Sequence, residues 1–331
     1  MEHTYDVIAI GDIVTDAFIR LKDAEVHCNI NTHACELCLR FGDKVPFESV
    51  TIVKAVGNSA NGAVSSSRLG LRNALMATVG QDQNGTDCLD TLKSNNVSTE
   101  YMRVDPNNKT NYHYVLWYTN ERTILVKHEK YDYKLPEINV APKWFYLSSM
   151  GKESAPIYTE IAEYLKKNPD VKLAFQPGTF QMELGIEFLK DIYEHTELFI
   201  CNVEESQRIL KTQEQDIKVL LHGIKNLGPK IVCITDGPKG AYMLDNGKAY
   251  FMPIYPDPKE PLERTGCGDA FASTFMSALL LSKTPLEALI WAPINPMSVV
   301  QYIGAQEGLL SREQLEELLK NAPKDYQPKE I

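Results

Sequence analysis

The chain has 331 residues, 44% of them hydrophobic and 24% charged, and its 34 Lys+Arg against 44 Asp+Glu leave a formal net charge of −10. That composition suits a soluble globular enzyme or binding protein. The charge disfavours a nucleic-acid surface while allowing a locally positive pocket for small anions. No apolar run is long enough to span a bilayer, and the start MEHTYDVIAIGD has neither the basic nor the apolar region of a signal peptide. The expectation is a cytoplasmic protein with no membrane partner and reduced cysteines.

In chain order, YDVIAIG (from Tyr5) reads as a buried strand. Residues from about 19 to 55 then break the pattern, with three cysteines, polar residues and alternating stretches such as SVTIVKAV. SANGAVSSSRLG reads as a helix, NALMATVG (from Asn73) as a strand and GTDCLDTLKSNN as a helix. A second break, at about 104–130, carries VDPNNKTNYHYVLWYTNERTILVK, strands around an Asn-Glu turn. KWFYLSS, VKLAFQPG, ELFICN and KIVCITDG follow as buried strands, interleaved with the helical SAPIYTEIAEYLKKN and EESQRILK. The last third is helical. Thr284-Pro285-Leu286-Glu287 and Ser311 with Gln314 predict capping boxes, and the tail after Pro323 is expected to be loosely held.

Strand alternating with helix predicts an α/β fold: one domain over residues 1–331 with a doubly wound, mostly parallel sheet flanked by helices. The two interruptions predict a small β-sheet lid over the sheet's edge. Ligands on such a sheet bind beyond the carboxyl ends of its strands.

The string LERTGCGDAFASTF, Leu262 to Phe275, is a glycine-flanked turn running into an apolar helix expected from Ala270. A helix start offers unpaired N–H groups and the positive end of a dipole, and glycines let an anion approach them. Gly266, Cys267 and Gly268 can form such a cradle, with Asp269 beside it to accept a hydroxyl proton, as phosphoryl transfer requires. An ordinary N-capping Asp fits the same string. There is no G-x-x-x-x-G-K-[ST] loop, and the third glycine of a dinucleotide fingerprint is missing.

In the insert VHCNINTHACELCLRFGDK, a zinc site from Cys28, Cys35 and Cys38, completed by His27 or His33, competes with plain reduced thiols. A second C-x-x-C is missing, which favours the thiols.

TGCGDAF, VGNSANGAV (Val56 to Val64), GDIVTDAF (Gly11 to Phe18), CNVEES (Cys201 to Ser206) and TDGPKGA (Thr235 to Ala241) together resemble the ordered motifs of the PfkB family of carbohydrate kinases, the ribokinase-like fold. The resemblance implies an enzyme, ATP and Mg²⁺, with Asp269 as base and residues 266–268 as anion hole. It further implies that Asp16, Gly57, Asn58 and Asn61 hold sugar hydroxyls, and that Asn202 and Glu205 orient magnesium-bound waters. Thr235, Gly237 and Gly240 would line the nucleotide, Asn295 would close the adenine pocket, and the lid would join two copies as a homodimer. The implied reaction is phosphorylation of a hydroxymethyl group of a small sugar. A nucleoside kinase and a non-catalytic sugar or nucleotide sensor are the alternatives.

The chain departs from the family in places. Arg264 stands where the family commonly has Asp, so its guanidinium would replace a bound monovalent cation or else point to solvent. Val56 replaces the first glycine of a pair, Gln176 stands where many sugar kinases have Asp, and Pro293 and Pro296 interrupt a helical segment. Tyr112, Tyr114, Trp117 and Tyr118 would stack a nucleobase or form the packed face of a small sheet.

Overall fold

In a computed structural model, which describes residues 5–28, 35–119 and 121–331, the apolar runs become strands and the amphipathic segments helices. His33 lies outside the described residues. The first half comprises β1 (Val7–Ile10), β2 (Val14–Leu21), β3 (Glu25–Cys28), β4 (Cys35–Cys38), β5 (Phe47–Val56), α1 (Asn58–Arg68), β6 (Asn73–Met76), β7 (Thr78–Gly80), α2 (Gln83–Ser94), β8 (Arg103–Asp105), β9 (Asn111–Tyr118) and β10 (Glu121–Leu125). Next come β11 (Trp144–Leu147), α3 (Ala155–Lys167), β12 (Lys172–Phe175), α4 (Thr179–Leu184), α5 (Lys190–His195), β13 (Thr196–Asn202), α6 (Val203–Leu210), α7 (Ile217–Lys225) and β14 (Ile231–Thr235). The chain ends with β15 (Ala241–Asp245), β16 (Lys248–Met252), α8 (Cys267–Leu280), α9 (Pro285–Trp291), α10 (Ile294–Val299), α11 (Arg312–Lys320) and β17 (Lys329–Glu330).

The six strands read from apolar runs, β1, β6, β11, β12, β13 and β14, lie together in the main sheet, whose order is β17-β16-β15-β14-β13-β12-β11-β1-β6. From β6 to β14 every pairing is parallel; β15, β16 and β17 add an antiparallel edge. Alternate residues serve opposite faces. Val7 and Ala9 enter a core with Ala60, Ala63 and Val64 of α1 and Phe271 and Phe275 of α8. Ile8 and Ile10 enter the other core, with Ile157 and Ile161 of α3 and Leu220, Leu221 and Ile224 of α7. Both faces are therefore covered, as a doubly wound sheet requires. Both predicted capping boxes are present, on α9 and α11. Pro293 caps the start of α10, which is only six residues long and holds Pro296 in its first turn.

A second sheet, ordered β10-β9-β2-β5, has β2 at its centre, parallel to β9 and antiparallel to β5. It begins at Val14, so Asp16 lies on it; β8 pairs with β7 instead. Asp16 is opposite His113, and Tyr112, Tyr114 and Tyr118 alternate onto the other face. Trp117 is buried and carries the Arg20 guanidinium 4.8 Å above its ring. None of these four aromatics is thus free to stack a nucleobase beside Asp16.

Two expectations fail here. Cys28 and Cys35, directly opposite across the β3–β4 pair, form a disulfide. These two are not reduced, and a zinc site using the thiolates of Cys28, Cys35 and Cys38 cannot form while two of them are joined. Among the described residues no group of three His, Cys, Asp or Glu could hold a metal. The tail after Pro323 is also not loose: the Tyr326 ring packs on Tyr255 with centroids 4.9 Å apart, its hydroxyl donates to Ile290 O at 2.6 Å, and β17 joins the main sheet. Among the described residues no helix is long and apolar enough to cross a membrane.

Candidate active site

The glycine turn is the N-terminus of α8, which starts at Cys267, three residues before the expected Ala270. Gly266 has φ +82°, and a Cβ there would lie 2.2 Å from the Ala305 Cβ, so the turn requires glycine. The Ala270 N–H donates to Gly266 O at 2.8 Å. The N–H groups of Cys267, Gly268 and Asp269 precede that bond and have no acceptor within the helix. A Cβ on Gly268 would approach only Gln176 Nε2, at 3.7 Å, so this side of the cradle has room for an anion. Burial, reinforced by the Glu263 carboxylate, pushes the Cys267 thiol up to about 12. The residue keeps its proton, and its peptide N–H is the group available for chemistry.

Asp269 is buried and held by three amides. Asn58 Nδ2 donates to Oδ1 at 2.7 Å, Asn61 Nδ2 to Oδ2 at 2.7 Å and Gln176 Nε2 to Oδ1 at 3.1 Å. Burial raises its pKa above the ordinary carboxylate value, and the three amides oppose that rise by stabilising the anion. The amides are themselves oriented. Gln176 Oε1 accepts from the buried Tyr146 hydroxyl, and Asn61 Oδ1 accepts from Gln306 Nε2 at 3.0 Å. Two elements flanking different strands thus converge on one carboxylate: α1 supplies Asn58 and Asn61, and the end of β12 supplies Gln176.

Asp16 approaches from the second sheet. Its Oδ1 lies 3.4 Å from His113 Nδ1. Neighbouring Asp12, at the end of β1, accepts from the Gly151 N–H at 2.8 Å, from the Tyr133 hydroxyl at 2.9 Å and from His128 Nδ1 at 2.8 Å. Gly57, φ +113°, packs so tightly that a Cβ would sit 2.6 Å from Asp12 O. It brings the backbone before α1 against the end of β1.

Asn202 and Glu205 form a reciprocal capping box at the end of β13. The Asn202 N–H donates to Glu205 Oε2 at 2.9 Å, and the Glu205 N–H donates to Asn202 Oδ1 at 2.7 Å. Burial raises the Glu205 pKa, and the Asp269 charge contributes in the same direction, which places the two carboxylates within electrostatic reach. Thr235 ends β14, and Gly237 and Gly240 lie in the connection to β15, where the Asp236 N–H closes on Gly240 O at 2.8 Å. Asn295 departs from expectation. It is fully buried, donates to Thr274 Oγ1 at 2.9 Å and accepts from the Leu310 N–H at 2.9 Å, so its side chain ties α10 to its neighbours and cannot line an adenine.

Arg264 agrees with the second of its two readings. It is exposed, and the buried carboxylate of the turn belongs to Glu263, one residue earlier. Glu263 Oε2 accepts from the Thr265 N–H at 2.6 Å and Oε1 from the Gly304 N–H at 2.8 Å. The side chain built into the turn is acidic, and the exposed Arg264 opposes the rise of the Cys267 thiol from outside it.

Comparison with known proteins gives this constellation a lineage. Residues 27–312 match the model of the pfkB family carbohydrate kinases. The chain belongs to that family. A ribokinase of Bacillus subtilis (strain 168) is 26% identical over 268 residues, covering 80% of this chain and 87% of its own. The structure of Arabidopsis thaliana ribokinase, complexed with ribose and ATP, superposes with TM-score 0.76 at 19% identity, over 96% of this chain and 99% of that one. A Methanocaldococcus jannaschii nucleoside kinase gives TM-score 0.75 at 17% identity, over 97% and 100%. These two structural matches establish the ribokinase-like fold. The family model makes the chain a carbohydrate kinase, a phosphotransferase with an alcohol group as acceptor.

For a kinase of this family the residues present fit a magnesium ion. One carboxylate oxygen of Glu205 is engaged by its own cap, and the other accepts no hydrogen bond among the described residues. Mg²⁺ retains waters and needs few protein oxygens. Asn202 and Glu205 would hold those waters, and the ion would neutralise phosphate charge. Sequence reasoning missed Asp12, His113, His128 and Gln306. It noted Gln176 only as a departure, although a glutamine beside an invading hydroxyl site has the donor to hold the base. On the second sheet, Arg122, opposite Trp117, also escaped it; its Nε is buried without a partner among the described residues.

Proposed function

We propose that the protein is an ATP-dependent kinase that phosphorylates a hydroxymethyl group of a small sugar. The observation that carries the proposal is a buried carboxylate, held by oriented amides, in the first turn of a helix whose free N–H groups adjoin it. Asp269 takes the proton of the acceptor hydroxyl. The freed oxygen forms a bond to the γ-phosphorus as the bond to the β–γ bridging oxygen breaks, and ADP leaves. The Cys267 and Gly268 N–H groups stabilise charge on the transferred group. Asp16, Gly57, Asn58 and Asn61 frame the acceptor, and Thr235, Gly237 and Gly240 the nucleotide. The second sheet acts as the lid, excluding water from the transfer. The aromatic arrangement favours a sugar over a nucleoside: Tyr112, Tyr114 and Tyr118 stand on the sheet face opposite Asp16, and Trp117 is occupied by Arg20.

The test is ADP release with ATP and Mg²⁺ over ribose, fructose, 2-keto-3-deoxygluconate and adenosine. A sugar is expected to support turnover, and Asp269→Asn to lower kcat by roughly 10²–10⁴-fold, the usual contribution of a general base. Unchanged turnover in Asp269→Asn would remove that residue from the mechanism. Turnover with adenosine alone would replace the sugar with a nucleoside.

A further inference from the structure

Among the described residues the buried His113 Nε2 has no hydrogen-bond partner, and the buried Asp16 Oδ1 has only a 3.4 Å contact with His113 Nδ1. A buried polar atom left unpaired is costly, so these atoms mark a place suited to a group from outside the chain. They belong to one surface. Asp16 and His113 are direct neighbours across β2 and β9. The adjacent residue of β2, Thr15, faces the other way, its hydroxyl 3.7 Å from Cys88 of α2. Asp16 and His113 therefore face away from α2 and share the face of Val53, which packs against Gly304 beside the Glu263 turn.

The surroundings lead from this pair to the base. The His113 ring lies 5.3 Å from the His128 ring, which meets Phe180 edge-on at 5.9 Å. Phe180 follows Gln176 in the segment after β12, and Gln176 donates to Asp269. The ring contacts thus lead from His113 to the segment that holds the partner of Asp269. His128 cannot relieve them by turning. Asp12 accepts also from the Gly151 N–H and the Tyr133 hydroxyl, which fixes that carboxylate as the partner of His128 Nδ1. On His113, Nδ1 faces the Asp16 carboxylate at 3.4 Å, which leaves Nε2 as the uncommitted nitrogen. Nε2 accepts when the ring is neutral and donates when it is charged, and a hydroxyl can answer either.

We propose that His113 is a specificity-determining residue: its Nε2 pairs with a hydroxyl of the acceptor sugar adjacent to the hydroxyl held by Asp16. This rests on the sugar-kinase reading above. A site built around a hydrogen bond to a hydroxyl rejects the analogue that lacks it, because its own buried polar group is then left unpaired. His113 would therefore select polyols with neighbouring hydroxyls over their deoxy counterparts.

The experiment compares wild type, His113→Phe and His113→Gln in the full chain. The probes are ribose and fructose, each with its singly deoxygenated analogues. Turnover is measured as kcat and KM, and binding by calorimetry. For wild type, one deoxy analogue is expected to be disfavoured by on the order of 100-fold or more in kcat/KM. In His113→Phe that ratio should fall to within a few-fold of one, mainly through a higher KM for the parent sugar, and His113→Gln should restore part of it. An undiminished ratio in His113→Phe for every analogue, or an equal loss on parent and analogues, overturns the proposal and leaves His113 a packing residue. If His113→Phe does not fold, His113→Ala supplies the same ratio with the ring removed, and an unaltered ratio there again overturns it. Binding without turnover would defeat the kinase reading while the binding ratio still scores His113. Neither binding nor turnover of any sugar overturns both.

Discussion

At Asp269 two influences compete: burial favours the neutral acid, and the amides of Asn58, Asn61 and Gln176 favour the anion. Burial prevails, so the carboxyl titrates above the ordinary aspartate range. Only the anion can take a proton. Activity is therefore expected to fall as pH drops through this raised pKa, placing the acid limb of kcat/KM above that of an exposed aspartate. Asn58→Ala removes a donor to the anion, so the limb should move to higher pH, with kcat near neutrality lower by roughly tenfold, as expected for a lost hydrogen bond to a charged group. A pH–rate profile of the two proteins checks the sign, and a limb that stays put or moves to lower pH contradicts the assignment. Asp269, Asn58 and Asn61 were legible because each sits in a short motif. The position of His113 was not, since only strand register sets it opposite Asp16. In the turn, no periodicity says which of two adjacent side chains points inward, and so Glu263 was overlooked beside Arg264.

Among the elements, the six parallel strands were readable because burial on both faces demands unbroken apolar runs. The β3–β4 disulfide was not, since C-x-x-C drew attention to Cys35 and Cys38 while the hairpin pairs Cys35 with Cys28. β17 is two residues long, too short for any period, and is held by Tyr326 more than by its own composition. The glycine turn allows a sharper test of an element. Gly266→Ala adds both a left-handed backbone and an overlap with Ala305. Those effects cost about 1–2 kcal/mol and about 1–3 kcal/mol. Gly247, in the turn between β15 and β16, also has a positive φ, +77°, but nothing lies within 4 Å of an added Cβ. Gly247→Ala should therefore show the backbone cost alone and keep full activity. Gly266→Ala should show a larger loss in denaturant midpoint and a lower kcat, because the N–H groups of Cys267 and Gly268 are displaced. Equal stability losses with equal kcat would mean that the turn tolerates a side chain and its close packing does not matter.

On the scale of the whole molecule, the second sheet has two unlike faces. One carries Asp16 and His113 toward the cleft. The other carries a row running across all four strands, Ile52, Ala17, Tyr114 and Leu125, neighbours by register. Ile52, Tyr114 and Leu125 are 45%, 48% and 50% exposed, and Val50 beside them is 50% exposed. Apolar groups gathered on one exposed face mark an interaction surface, and β5 and β10 also leave unpaired strand edges beside it. A second copy of the chain is the occupant that the family resemblance implies, and this face supplies the apolar centre that such a contact needs. The expected outcome is a dimer by analytical ultracentrifugation. Ile52→Glu with Tyr114→Glu would bury unpaired charge there, at on the order of 3–5 kcal/mol for each uncompensated charge, and so raise the dissociation constant at least ~100-fold. The unfolding midpoint of the separated protomer should change little, because both side chains are half exposed and Tyr114 loses only its ring contact with Tyr112. A wild-type protein that sediments as a monomer, or a dimer indifferent to both glutamates, would move the contact off this face. The lid would then close over its substrate without support from a second copy.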